Sequence, residues 1–163
     1  MNQSKLSAER ARELLAYDPE TGSLTWKVSR GRVGNGAKAG RRRPDGYLRV
    51  KVDGSDYLVH RLALALTHGH WPEGQVDHLN GDASDNRLAN LRDVPQEVNQ
   101  QNQRRANADS KTGLLGASPR GPRFQAAITT QGDRRYLGLF DTAEEAHQAY
   151  LTAKRQLHAG CTI

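Results

Sequence analysis

Apolar positions along this chain change period several times, and each change marks an element. Leu6, Ala11, Leu14 and Leu15 share one stripe of the stretch 5–16, with Ser7 placed as an N-cap, which predicts a short amphipathic helix. β-Prone runs follow at 23–28, 47–52 and 57–59, the last two flanking Asp53-Gly54, and predict a small hairpin-rich region. From His60 the sequence becomes HRLALALTHGHW, whose unbroken apolar run at 62–66 predicts a buried helix ending near Gly69. EGQVDH then reads as a brief strand, LNGDASDN as a polar loop and 91–94 as a second strand, with a helix opening at Pro95.

The stretch 101–112 holds no apolar residue larger than alanine and predicts a linker at 106–112. Beyond it, 115–119, 123–130 and 134–139 read as three strands, and 142–158 as a helix. Asp141 or Thr142 can cap that helix, Glu144 and Glu145 fill its first turn, and Lys154 and Arg155 lie near its end, all in accord with the helix dipole. Alternation along the middle strand turns Phe124, Ala126 and Ile128 toward the helix and Arg123, Gln125, Ala127 and Thr129 outward. The expected class is α+β, with an N-terminal helix and hairpins over 1–57, a strand-loop-strand-helix core over 58–105, and a three-stranded antiparallel sheet packed on one helix over 113–163.

Composition narrows this picture. The chain has 163 residues, a hydrophobic share of 36% and nine aromatic residues, which suits several small cores better than one large one. Cys161 is the single cysteine, so internal disulfides and multi-cysteine zinc sites are excluded and a reducing, cytoplasmic home is expected. No apolar run approaches the roughly 20 residues that span a bilayer, and the polar start MNQSKLSAER is not a secretory signal, so no membrane partner is expected. The net charge is +6, but its distribution says more. Lys27, Arg30, Arg32, Lys38, Arg41, Arg42, Arg43, Arg49 and Lys51 stand against the single acid Asp45, among glycines that let a backbone approach a phosphate track. A polyanion is the expected partner.

Candidate chemistry lies on the strand-loop-strand-helix core. Asp77-His78, with Asn90 and Asn99 downstream, places a hard oxygen ligand, an imidazole base and two carboxamides in one short span. Such a set suits Mg²⁺, which prefers oxygen and keeps waters for substrate phosphates, and a neighbouring histidine can deprotonate an attacking water. Successive strand residues point to opposite faces, so Asp77 and His78 can share a site only where the strand is breaking. A calcium loop fails on ligand spacing: Leu79 and Leu88 fall at ligand positions counted from Asp77, and Arg87 falls where the loop counted from Asp82 needs glycine. Zinc held by His60, His68, His70 and His78 has no cysteine partner, and His68 and His70 more simply end a helix. Spacing alone leaves a wholly structural turn open as well.

The run VDHLNGDASDNRLANLRDVPQEVNQQN, preceded by VHRLALAL, closely resembles the HNH endonucleases of the phage and intron-encoded homing type. Its signature D-H-x-N-G, N-R-x-x-N-L-R and a helical Asn spans about residues 58–103, and YDPETGSLTW with DGYLRVKVDG looks like the segment that often precedes the module in phage proteins. The resemblance implies a ββα-metal fold, His78 as general base, Asp77 and Asn99 as ligands of one Mg²⁺ or Mn²⁺, and Asn90 holding the loop and the base. Amides stand at the second and third signature positions, where other branches carry histidine.

GASPRGPRFQAAI and RRYLGLFDTAEEAHQAYLTAK resemble the Apetala-type DNA-binding domain of plant ethylene-response factors, which also occurs fused to phage HNH nucleases. That likeness implies that the outward sheet face, with Arg120, Arg123, Gln125, Arg134 and Tyr136, lies in the major groove of double-stranded DNA while Arg135 reaches phosphate. Arg41, Arg42, Arg43, Arg61, Arg87, Arg104 and Arg105 complete the expected DNA contacts. Together these readings predict a monomeric, phage- or mobile-element-encoded nuclease that nicks DNA in a bacterial cytoplasm. The competing class is a DNA-binding protein whose HNH-like unit is a non-cleaving scaffold.

Overall fold

The computed structural model describes residues 6–158 and 161–162. The start of the first predicted helix, at residue 5, and the rest of the polar opening 1–4 lie outside the described residues. Among the described residues the protein is a mixed α+β structure of small antiparallel sheets and four α-helices. The chain divides into two compact units, Met1–Pro95 and Gln96–Ile163.

The first unit opens with α1 (Ala8–Leu14), capped as the sequence predicts: the Ser7 hydroxyl accepts the Arg10 N–H at 3.1 Å. The helix stops short of 16 because Leu15 turns extended. There β1 (Leu15–Tyr17) pairs with β2 (Leu24–Trp26), and the cross-strand pair of buried Leu15 and Trp26 prevails over helical spacing. The basic stretch continues into β3 (Arg41–Arg42), β4 (Leu48–Val52) and β5 (Ser55–Leu58), a three-stranded sheet in that order. Asp53 and Gly54 make its tight turn with φ of 46° and 82°, the double left-handed geometry that suits the twist of a two-residue hairpin.

α2 (Val59–His68) follows and ends where expected, at Gly69 in the left-handed region with its N–H on the Ala65 carbonyl at 2.9 Å. Val59, His60, Leu62, Ala63, Leu64 and Ala65 are all buried, so this helix is wrapped on most sides. Leu62 joins a core with Leu14, Leu24, Trp26, Val50 and Val52, while Ala63 and Leu64 pack with Val76 and Leu91. Those last two belong to the paired strands β6 (Gln75–His78) and β7 (Leu91–Val94), the second of which is reached through a 3₁₀ turn at Leu88–Asn90.

The second unit begins with α3 (Gln96–Gln101). It continues into the antiparallel strands β8 (Ala117–Arg120), β9 (Arg123–Thr130) and β10 (Asp133–Phe140), and closes with α4 (Ala143–Leu157). Thr142 caps α4 in a full capping box with Glu145. Ala126 and Ile128 face the helix with almost no exposure, in the predicted parity. The polar stretch read as a linker at 106–112 lies within this unit. Thr112 donates its hydroxyl to the Ala117 carbonyl at 2.9 Å. Upstream, the Lys154 ammonium, itself buried, donates to the Gln103 carbonyl, and Arg104 donates to the Thr162 carbonyl at 2.9 Å. These bonds tie the exit of α3 to α4 and the terminal segment, which is why the division falls at Pro95 and not beyond 105.

Gly22 shows how the first unit supports its loop. The Tyr17 hydroxyl donates to the Asn86 carbonyl at 2.7 Å and the Leu88 N–H to the Pro19 carbonyl at 3.0 Å, so the β1–β2 turn lies against residues 86–88. Gly22 sits in this contact at φ +70°, where a Cβ would meet the Arg87 nitrogen and the Asn86 carbonyl carbon at 2.5 Å. Backbone on the far side cannot give way as a side chain could. Gly22→Ala is therefore expected to lower stability by about 1 to 3 kcal/mol, read as a lower urea midpoint with unchanged slope; an unchanged midpoint would show that the turn does not support the loop.

Candidate active site

β6 and β7 are short, and the loop between them is held by side chains. The Asn90 carboxamide spans it: its oxygen accepts the Asn80 N–H at 2.9 Å and its nitrogen donates to the Asp85 carbonyl at 2.8 Å. The Asn90 backbone carbonyl also accepts the Leu79 N–H at 2.9 Å. Within the loop, Asn80 donates its side-chain amide to the Asp85 carboxylate at 2.8 Å, and Asp82 accepts both the N–H and the hydroxyl of Ser84. Arg87 grips Asp85 through two N–H groups at 2.8 and 2.6 Å, and this pairing holds the Asp85 carboxyl down to about 2.

His78 is the last residue of β6 and is 5% exposed. Its Nε2 lies 3.4 Å from Asn86 Oδ1. The Asn86 amide nitrogen donates to the Ser84 carbonyl at 3.1 Å, which fixes the carboxamide with its oxygen toward the imidazole. Nε2 thus faces an acceptor oxygen. Burial lowers the His78 pKa, opposed by the Asn86 hydrogen bond and by Asp77, so the ring is a neutral base at neutral pH. Asp77 lies opposite Arg92 across the ladder and accepts two guanidinium N–H bonds on Oδ2, at 2.9 and 2.7 Å. The pair is largely buried, and the two bonds fix the carboxylate in place.

β6 stays paired with β7 through His78, so Asp77 and His78 point to opposite faces of the ladder, Asp77 toward Arg92 and His78 toward Asn86. Residues 57–101 match the HNH endonuclease family. The HNH segment thus runs from the end of β5 through α2, β6, the loop and β7 into α3. A solved structure, "DNA binding and cleavage by the HNH homing endonuclease I-HmuI", aligns at 28% identity with a TM-score of 0.44, over 55% of this chain and 51% of that one. The chain therefore spans about half the length of that neighbour. No curated protein matches the chain.

Within the HNH segment, Asp77, His78 and Asn90 belong to the first unit, and Asn99 lies on α3 in the second. The donor that Asp77 offers in the first unit, a buried carboxylate oxygen, suits a hard cation. Among the described residues there is no cluster of three or more His, Cys, Asp or Glu of the kind that binds a transition metal tightly. A cation that keeps most of its waters, such as Mg²⁺ or Mn²⁺, fits that donor set.

The expected phosphate contacts separate into two groups. Arg41 and Arg42 are exposed on β3, and Arg43 is exposed beside Asp45 at 2.9 Å. Arg61 instead donates to the carbonyls of Gly74 and Pro72 at 2.8 and 2.6 Å, so its guanidinium braces the α2–β6 turn. Arg87 is engaged by Asp85 as described, and Arg104 by Thr162, while Arg105 is exposed.

In the second unit the ladder registers put Arg120, Arg123, Gln125, Arg134 and Tyr136 on one sheet face. Arg120 opposes Arg123, Arg134 opposes Thr129, and Tyr136 opposes Ala127. A bulge between Tyr136 and Gly138 then turns Leu137 inward and leaves Tyr136 60% exposed. Arg135 opposes Ile128 and has the other parity. Arg123 is held against Asp141 at 2.9 Å and donates to the Leu139 carbonyl.

Three site residues escaped the sequence reading. Asn86 stands inside the N-R-x-x-N-L-R run without a role, although an amide at 2% exposure orients the imidazole. His60 and Tyr47 both approach His78, with ring centroids 5.1 and 5.8 Å away. The available signal for His60 was a polar ring within an otherwise apolar helix; nothing local marks Tyr47.

The buried histidines set an acid limit on the fold. Burial first, then the neighbouring His78 and Arg61, push the His60 pKa from 6.5 down to about 3. Below pH 6.5 the unfolded chain takes up a proton that folded His60 refuses, so stability is complete above that pH and is lost as pH falls toward 3. The loss approaches about 1.4 kcal/mol per pH unit for one proton, and His78 adds to it in the same direction. Urea titrations at pH 7.5 and pH 4.5 are expected to show a smaller loss for His60→Phe than for the wild type; equal losses would assign the acid sensitivity to other groups.

Proposed function

We propose that this protein is a metal-dependent HNH DNA endonuclease that nicks double-stranded DNA. The observation that carries this reading is a buried, neutral His78, oriented by Asn86 and adjacent in sequence to Asp77, within the segment that matches the HNH family. The neighbouring structure of I-HmuI concerns DNA binding and cleavage, and the same substrate class is proposed here.

In this mechanism the His78 imidazole takes the proton of the water that attacks the scissile phosphorus, with Asn86 facing its Nε2. Asn90 maintains the loop that carries Asn86. Asp77 and Asn99 are proposed as the cation's ligands; when bound, the cation supplies electrophilic stabilisation of the phosphoryl charge and of the leaving 3′ oxygen. Arg92 keeps Asp77 in place. Arg41, Arg42 and Arg43 bind phosphates without reading sequence, and the second unit's sheet face, with Gln125, Arg134 and Tyr136, reads bases as an Apetala-type domain would. A single site per monomer makes a nick the expected product. We further propose that the protein acts in a bacterial cytoplasm, encoded by a phage or mobile element.

Supercoiled plasmid with Mg²⁺ or Mn²⁺ tests the reading directly, with conversion to the open circle expected and its absence with every divalent cation favouring the non-cleaving DNA-binding class. His78→Ala should abolish nicking while DNA affinity stays within about twofold, since the base acts in the chemical step. Asp77→Ala and Asn99→Ala should each move the Mn²⁺ titration to higher concentration, and two unmoved titrations would require other ligands. Replacing Arg41, Arg42 and Arg43 with Gln should weaken binding to all sequences alike and reduce the salt slope by about 0.9 for each phosphate no longer neutralised. A wild-type slope would assign phosphate binding elsewhere.

A further inference from the structure

Three rings meet around the candidate base. His60 stands edge-on to His78 at an interplanar angle of 90° with centroids 5.1 Å apart. Tyr47 closes the triangle, 5.2 Å from His60 and 5.8 Å from His78. These residues come from three different places: Tyr47 directly precedes β4, His60 lies in the first turn of α2, and His78 ends β6. Such convergence on one imidazole is not a product of local sequence.

His60 is 4% exposed, and among the described residues its buried Nδ1 has no hydrogen-bond partner. An unpaired buried nitrogen is unfavourable, and an aliphatic side chain on α2 would avoid it. What His60 offers at this position is therefore its ring. Two rings packed at these distances and angles oppose rotation of the His78 ring about its side-chain torsions, adding to the Asn86 contact.

We propose that His60 and Tyr47 are positioning residues that clamp the His78 imidazole in its working rotamer. This inference rests on the reading of His78 as the base, and it adds two residues to which neither the family match nor the sequence pattern assigns a role. Neither residue exchanges a proton in the reaction. Their effect is on the fraction of time that the His78 ring holds its working rotamer, so they act on turnover and not on DNA capture.

The test combines kinetics with the NMR signals of the His78 ring, the latter recorded without DNA or metal and assigned by their loss in His78→Ala. In His60→Ala the His78 ring signals are expected to lose the displacement caused by their aromatic neighbours and to average over rotamers. Its kcat for nicking should fall on the order of ten- to a hundredfold with KM for plasmid unchanged. His60→Phe keeps a ring and should recover most of the rate together with the ring signals. If His60→Ala fails to fold, Tyr47→Ala carries the same two readouts with the same expectation. Unchanged His78 signals in a folded Ala variant, a kcat within about twofold of wild type, or a loss confined to KM would each overturn the clamp. A wild type that nicks nothing would overturn the nuclease reading instead, and the ring signals would still decide whether His78 is clamped.

Discussion

Two strands of four residues each cannot fix a long polar loop by ladder hydrogen bonds, so the geometry around His78 depends on the Asn90 carboxamide. By accepting from Asn80 and donating to Asp85 it closes the loop from within, and both partners are backbone groups that would otherwise need water. Everything downstream uses this closure. Asn86 is held at the position from which it meets the imidazole, Arg87 folds back on Asp85, and the β1–β2 turn finds a firm surface against which Gly22 can pack.

Burial then decides the electrostatics. The first unit places two imidazoles and a carboxylate inside a fold of modest size, and each is handled differently. The histidines stay neutral because desolvation disfavours their charged forms, whereas the Asp77 carboxyl is paired with Arg92, which enters the interior with it. The remaining positive charge lies outside, on the exposed arginines of β3 and its turn, where it can meet a polyanion without cost to the core.

The second unit shows a comparable division between faces. Its helix side is apolar, with Ala126 and Ile128 against α4, while the opposite side carries Arg120, Arg123, Gln125, Arg134 and Tyr136. The bulge at Leu137 is what allows both: it sends one more apolar residue inward without turning Tyr136 away from the outer face. Lys154 is the exception on the helix, a buried ammonium held by the Gln103 carbonyl, and it makes the segment after α3 part of this unit.

Local signals in the amino-acid order were enough for the elements themselves: the Ser7 and Thr142 caps, the Asp53-Gly54 turn, the Gly69 stop, the strands on either side of the polar loop and the parity of β9. Each depends on interactions within a few residues, or on a period that the side-chain pattern carries by itself. The matched HNH segment was legible for the same reason, since its signature is written in nearby positions. Tertiary structure decided what surrounds them. That Leu15 leaves its helix to pair with Trp26, that Arg61 braces a turn, that Asn86 orients a base and that His60 and Tyr47 enclose it are all contacts between distant positions. No periodicity encodes such contacts, because they exist only once the hairpin, α2 and β6 have packed around a common core.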